Sequence, residues 1–373
     1  METYKICLSI FAQIMPLKLN KHIILLLLFS QLSFGQAFRS FSNEFLNLGV
    51  DAAAFGMGKA VIASSGDVNS IYWNPAGLTA VDDYQGALMH AEYFQGIGKY
   101  DYAAFAKPIN DESTFAVSII RFGVDDILNT TELIDSQGNI DYNKISLFSA
   151  ADYAFNVAYG RRLPLDGLHV GINAKIVHRK IGDFANSWGF GLDAALQFQT
   201  SSEWKIGLML RDITTTFNAW SVDTEELDKI QDAIPGENDV EIETLELTKP
   251  KAQFGIGKSF AISRDFNILA EFDLNMRFSQ TNDIISTSFL SIDPALGIQI
   301  DFLDMVYLRG GVNNFQNYVD FDESESVSFE PNFGVGFRYK GIQIDYALAN
   351  IGGASGTLYS NIFSIKVDFS YFR

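Results

Sequence analysis

The sequence is poor in cysteine, in basic residues and in long apolar runs. Its single cysteine, Cys7, sits near the start of the chain. The chain beyond it offers no thiol, no disulfide and no Cys-ligated metal. Past the N-terminal region there is no run of about 18 consecutive apolar residues, so no transmembrane helix is expected. Lys and Arg number 27 against 45 Asp and Glu, a formal net charge of −18. Nucleic-acid phosphates need a basic surface, and this balance argues against such a partner. Charged residues make up only 19% of the chain, while 14% is aromatic and 30 residues are glycine. Disordered and coiled-coil chains are composed differently. A membrane barrel suits these numbers, because lipid solvates its outer surface.

Catalytic and ligand motifs are also incomplete. Gly255-Ile256-Gly257-Lys258-Ser259 resembles the end of a phosphate-binding loop, but Ala252 stands where the first glycine is needed. Past the N-terminal region the histidines are His90, His169 and His178, with no metal-ligand spacing among them. No local serine signature accompanies them. No enzyme activity and no cofactor are expected, and whether a metal binds is left open.

What is present begins with an export signal. Lys18 and Lys21 precede the apolar run Ile23 to Phe29, and Ser33-Phe34-Gly35-Gln36 supplies small residues around a cleavage point after Gly35. Residues 1–35 are therefore read as a signal peptide. Met15 is the expected true start, since it brings the two lysines close to the N-terminus.

After residue 83 the dominant signal is alternation with a period of two. Trp188, Phe190, Leu192, Ala194, Leu196 and Phe198 form one phase; Gly189, Gly191, Asp193, Ala195, Gln197 and Gln199 form the other. Phe266 to Asn275, Ile342 to Leu348 and Phe363 to Tyr371 repeat the pattern. Apolar aromatic faces of this length fit lipid, with the polar phase lining a lumen. The expected fold is an all-β transmembrane antiparallel barrel of about fourteen strands over residues 84–373. Short turns alternate with long connections at 124–149, 214–249, 277–286 and 314–325. The usual pattern puts long loops outside and, with an even strand count, both mature termini in the periplasm.

The 214–249 connection carries concentrated acid: Asp223, Glu225, Glu226, Asp228, Asp232, Glu237, Asp239, Glu241, Glu243 and Glu246, opposed by Lys229. It is either a solvated loop or one that binds a partner or a cation. A short helix from Glu225 to Ala233 is expected within it.

Residues 36–83 do not read as strands. Leu46-Asn47-Leu48-Gly49-Val50-Asp51-Ala52-Ala53-Ala54-Phe55-Gly56-Met57-Gly58, then Ser65-Gly66-Asp67-Val68-Asn69-Ser70, then Trp73-Asn74-Pro75-Ala76-Gly77-Leu78 resemble the start of the PorV/PorQ family. That family is similar to FadL-type outer-membrane transporters. The motif match spans roughly 40 residues, and the barrel pattern extends it less specifically to the C-terminus. The resemblance implies a fourteen-stranded barrel whose N-terminal hatch, over 36–83, holds Trp73, Asn74, Pro75 and Ala76. It also implies a non-enzymatic role in type IX secretion in Bacteroidetes, with other secretion proteins and the C-terminal signal domains of cargo as partners beside outer-membrane lipid. The alternative is a FadL-like passive channel for hydrophobic small molecules. Asn74-Pro75 is in any case a natural turn. The C-terminus departs from the usual barrel ending, since Arg373 follows Phe372.

Charges on the polar phase include Lys175, Asp193, Lys205, Arg211, Glu271, Asp273, Asp301, Arg309, Arg338, Asp345, Lys366 and Asp368. Unpaired charge in a narrow lumen is expensive, so internal ion-pair networks are expected. These charges line either a plugged, rigid lumen or a polar path.

Overall fold

A computed structural model describes residues 42–94, 96–134, 138–223, 244–319, 324–349 and 359–372. The proposed signal peptide and the expected 225–233 helix lie outside the described residues. Fourteen strand positions run antiparallel: β1 (Gln85–Tyr93), β2 (Gly98–Asn110), β3 (Ser113–Asn129), β4 (Ser146–Arg162), β5 (Leu168–Ile181), β6 (Ala185–Gln199), β7 (Trp204–Arg211 and Thr216–Val222), β8 (Leu245–Thr248 and Lys251–Ala261), β9 (Phe266–Arg277), β10 (Ser291–Phe302), β11 (Val306–Val319), β12 (Glu325–Tyr339), β13 (Ile342–Ala349) and β14 (Ser360–Asp368). Pairing of β1 with β14, from Gln85↔Asp368 to Glu92↔Asn361, closes the ring. Closure leaves no unpaired edge for lipid to meet.

Two strand positions are broken, each for a local reason. In β7 the break falls at 212–215, where Asp212 and Thr215 adopt positive φ of 56° and 58°. In β8 it falls at Lys249-Pro250, where proline has no N–H to donate to the ladder. Both positions nevertheless keep their neighbours: β6 pairs in turn with the two pieces of β7.

The strands run further than the alternation alone suggested. β3 and β4 reach Asn129 and Ser146, shortening the expected 124–149 loop. The acidic 214–249 connection contracts in the same way, because both broken strands enter it. Glu246, expected in a solvated or ligand-binding loop, is strand residue and buried. Cross-strand pairing outweighed local polarity there.

The outward phase carries the apolar residues. Trp188, Phe190, Leu296, Ile298, Phe333, Val335 and Phe337 are all exposed. The inward phase of β1 and β2 is apolar too (Ala87, Met89, Ala91, Tyr93, Tyr100, Tyr102), because those residues meet an internal plug. The plug is residues 42–83. After a first 3₁₀ stretch, Glu44–Asn47, it has two short helices, α1 (Ala52–Gly56) and α2 (Ser70–Trp73), and a 3₁₀ turn, Pro75–Ala80. α1 packs on β12 and β13, and the 3₁₀ turn packs on β4 and β5.

Candidate functional site

The four residues expected in a hatch lie where α2 passes into the 3₁₀ turn. Trp73, Asn74, Pro75 and Ala76 are all buried. Trp73 Nε1 donates to Val50 O at 3.0 Å, and its ring meets Tyr72 edge-on at 4.9 Å. Asn74 caps the 3₁₀ turn, accepting from Ala76 N at 3.2 Å. Its Nδ2 donates to Ile62 O at 2.8 Å and to Leu196 O of β6 at 3.2 Å. One side chain thus satisfies buried backbone groups in the turn, the plug loop and the wall, more than a turn-former alone requires. Pro75 and Ala76 lie against glycines of the wall. A Cβ built on Gly171 would come within 2.3 Å of Ala76 N, so only glycine admits the plug there.

Carboxylates of β9 hold the other side of the plug. Asp273 Oδ2 accepts from Val61 N at 2.9 Å and Ile62 N at 3.1 Å, and Glu271 Oε1 accepts from Ala63 N at 2.6 Å. Three successive plug amides therefore end on two buried acids. Further ties are Lys366 with Asp67, Ser364 Oγ donating to Asp51 Oδ1 at 2.9 Å, and Arg211 Nη2 donating to Tyr72 O at 2.9 Å. Asp51 caps α1 with φ 73°. Burial, with Asp345 nearby, pushes its carboxyl up to about 6. Glu246 accepts from Ser42 Oγ at 3.0 Å and from Arg179 Nη1 at 3.1 Å, tying the start of the plug to β8 and β5.

Other lumenal charges pair within the wall. Lys175 Nζ sits 2.8 Å from Asp193 Oδ1 and 2.6 Å from Asp212 Oδ1. Arg309 Nη1 sits 2.7 Å from Asp345 Oδ1. Polar cavities remain on either side of the plug. One of about 550 Å³ lies toward the short-turn end, among Lys205, Asp301, Arg338 and Lys366. Another of about 300 Å³ lies toward the long-loop end, among Lys59, Arg211, Lys251 and Arg277.

Of the ten acidic residues from 223 to 246, the described ones are Asp223 and Glu246, and they are not brought together: Asp223 directly follows β7, with its N–H donated to Phe184 O. The other eight lie outside the described residues. Sequence reasoning placed Glu271 and Asp273 on the lumenal phase but did not assign them to the plug. Their partners are over 200 positions away, and spacing carries no trace of that contact. It also missed a charged patch on the outward face of β1–β3. His90 Nδ1 lies 2.7 Å from Asp101, Arg121 lies 3.6 Å from Asp101 and 3.5 Å from Asp125, and Lys99 lies 3.3 Å from Asp125. The patch borders a groove of about 610 Å³ floored by Leu88, Ala103, Ile119 and Phe363.

No family model and no curated protein sequence matches the chain. Solved structures do. A FadL homologue from Pseudomonas aeruginosa superposes with a TM-score of 0.50 at 12% identity, covering 86% of this chain and 98% of that one. The toluene transporter TodX of Pseudomonas putida gives 0.51 at 11%, covering 85% and 96%. The monoaromatic hydrocarbon channel CymD gives 0.50 at 12%, covering 89% and 97%. At such identities the likeness speaks for the fold: this chain is a FadL-like, fourteen-stranded barrel with its N-terminal segment inside.

Proposed function

We propose that this chain is a passive outer-membrane channel for small molecules, with residues 42–83 as its plug, the long loops outside and both mature termini in the periplasm. The observation that carries the reading is a plug that, beside the apolar core it shares with β1 and β2, is held across the lumen by polar side chains, through Asp273, Glu271, Asn74 and Lys366. On the polar side those ties can be exchanged for water when the plug shifts, while the apolar side packed on β1 and β2 stays in place. Two of the proteins of like fold named above are a toluene transporter and a monoaromatic hydrocarbon channel, which supports passage of hydrophobic molecules. The lumenal cavities here are polar, which extends the reading to polar solutes. The test is solute uptake into liposomes holding the purified protein. Uptake that rises when Asp273→Ala loosens the plug supports a channel. Liposomes that stay as tight as protein-free ones for every solute, with both wild type and variant, overturn it.

A second reading, a PorV/PorQ-like secretion component, is favoured by the ionic patch on β1–β3. Charged side chains on a lipid-facing wall are expensive, and a protein partner that covers them relieves that cost. Pull-down of native partners in mild detergent tests this. If secretion and surface attachment are unchanged on deletion of the gene, the secretion reading is lost.

A further inference from the structure

The lumenal cavity toward the long-loop end has a charge arrangement of which only Arg211 ties down the plug. Arg211, Lys251 and Arg277 occupy one row of the wall: Lys251 pairs in register with Arg211 on β7 and with Arg277 on β9, and all three point inward. Like charges directly opposite one another on adjacent strands are destabilising. Lys59 joins them from the plug, in the left-handed region at φ 64°, its ammonium 5.2 Å over the Phe55 ring. Two of the four cations are engaged. Arg277 lies 2.6 Å from Asp283, and Arg211 donates to Gln253 Oε1 at 2.6 Å and stacks on Tyr72. Among the described residues, no carboxylate within ion-pairing distance and no hydrogen-bond acceptor meets the ammonium of Lys59 or Lys251. Two acids also line the cavity, Asp293 accepting from Phe315 N and Glu330 from Asn314 Nδ2; they attract Lys59 without lying within ion-pairing distance of its ammonium, and the four cations outnumber them.

We infer that this cavity is a binding site for a small hydrophilic anion of two or more negative charges, a polycarboxylate or a phosphorylated solute. Lys59 and Lys251 supply the free ammonium groups, and the amides of Gln253 and Asn275 line the cavity beside them. A strained backbone at Lys59 fits a group held ready for a ligand. The polar lining and the volume of about 300 Å³ suit a compact, well-solvated anion and leave little room for an apolar chain. The inference deepens the channel reading by naming a solute class, yet it is tested by equilibrium binding, which needs no conduction.

The full-length protein in detergent is titrated by calorimetry with citrate, with glycerol 3-phosphate and with neutral glucose. Saturable binding of citrate or glycerol 3-phosphate, and none of glucose, is expected, and the anion that binds tells carboxylate from phosphate recognition. Lys59→Gln and Lys251→Gln should each weaken binding about tenfold or more, as loss of a charge-assisted contact does. Lys258→Gln, on the outward phase of the same strand, should leave it unchanged. Either single variant suffices if the other fails to give the folded barrel's heat-modifiable band. Neither anion binding more tightly than glucose, or a folded Lys251→Gln barrel binding as well as wild type, overturns the site. A barrel that binds anion but passes no solute leaves the site standing and removes the channel reading.

Discussion

Single buried charges govern the lumen. Lys175 stands between Asp193 and Asp212, with Asn173 Nδ2 also donating to Asp193 at 2.9 Å. Removing the ammonium leaves two carboxylates facing one another in a buried site. Lys175→Met should therefore destabilise the barrel by about 3–5 kcal/mol, read from urea unfolding in detergent. Adding Asp193→Asn and Asp212→Asn should restore much of the loss, because the uncompensated charge is then gone. Asp51 supplies a pH effect of known sign. Its carboxyl titrates at about 6 in the fold against an ordinary 3.8, chiefly through burial and then through Asp345. A raised folded value favours the neutral form. Its contribution is fully present below about pH 4 and is lost as pH rises through about 6, an effect on the order of 3 kcal/mol. Thermal midpoints of wild type should fall from pH 4 to pH 8 by more than those of Asp51→Asn. Equal slopes would refute the assignment.

At the scale of elements, the plug and the wall are fitted to each other at their backbones. Gly171 accepts the 3₁₀ turn, and Gly311 accepts the stretch after α1, where a Cβ would lie 2.1 Å from Met57 C. Gly171→Ala should push the turn off β5, at about 1–3 kcal/mol. Faster proteolysis within residues 42–83, with the barrel still closed, is the expected readout. Asp273→Ala acts on the opposite side by orphaning the amides of Val61 and Ile62. Hydrogen exchange at those two amides should accelerate while the amides of β9 hold.

At the scale of the whole molecule, the apolar wall is uneven. On β6 the outward apolar phase runs unbroken from Trp188 to Phe198, about 26 Å of height at a tilt near 40°. On β2, Asp101 and Lys107 bracket only Ala103 and Phe105, about 15 Å charge to charge. A bilayer must thin beside β1–β3, or another protein must cover that side. Folding yield, scored by the gel shift on heating, should be higher in 12-carbon than in 16-carbon phosphatidylcholine vesicles. Replacing His90, Asp101 and Arg121 with leucine should narrow that difference.

The strand number, most of the strand positions and the polar inward phase of most strands were legible in the sequence, because lipid on one side and a filled lumen on the other impose a period of two on the strands. The turn at Asn74-Pro75 was legible for a local reason, since Asn-Pro sets its own bend. Residues whose meaning depends on distant partners were not. Glu246 reads as one acid among ten until β7 and β8 pair around it. Glu271 and Asp273 read as lumen charge until plug amides arrive on them. The outward ion pairs of β1–β3 were hidden because the plug draws the apolar phase of those strands inward. Alternation by itself determined that there are two faces. Only closure around the plug decided which face each strand turns to it, since that choice follows from what fills the barrel.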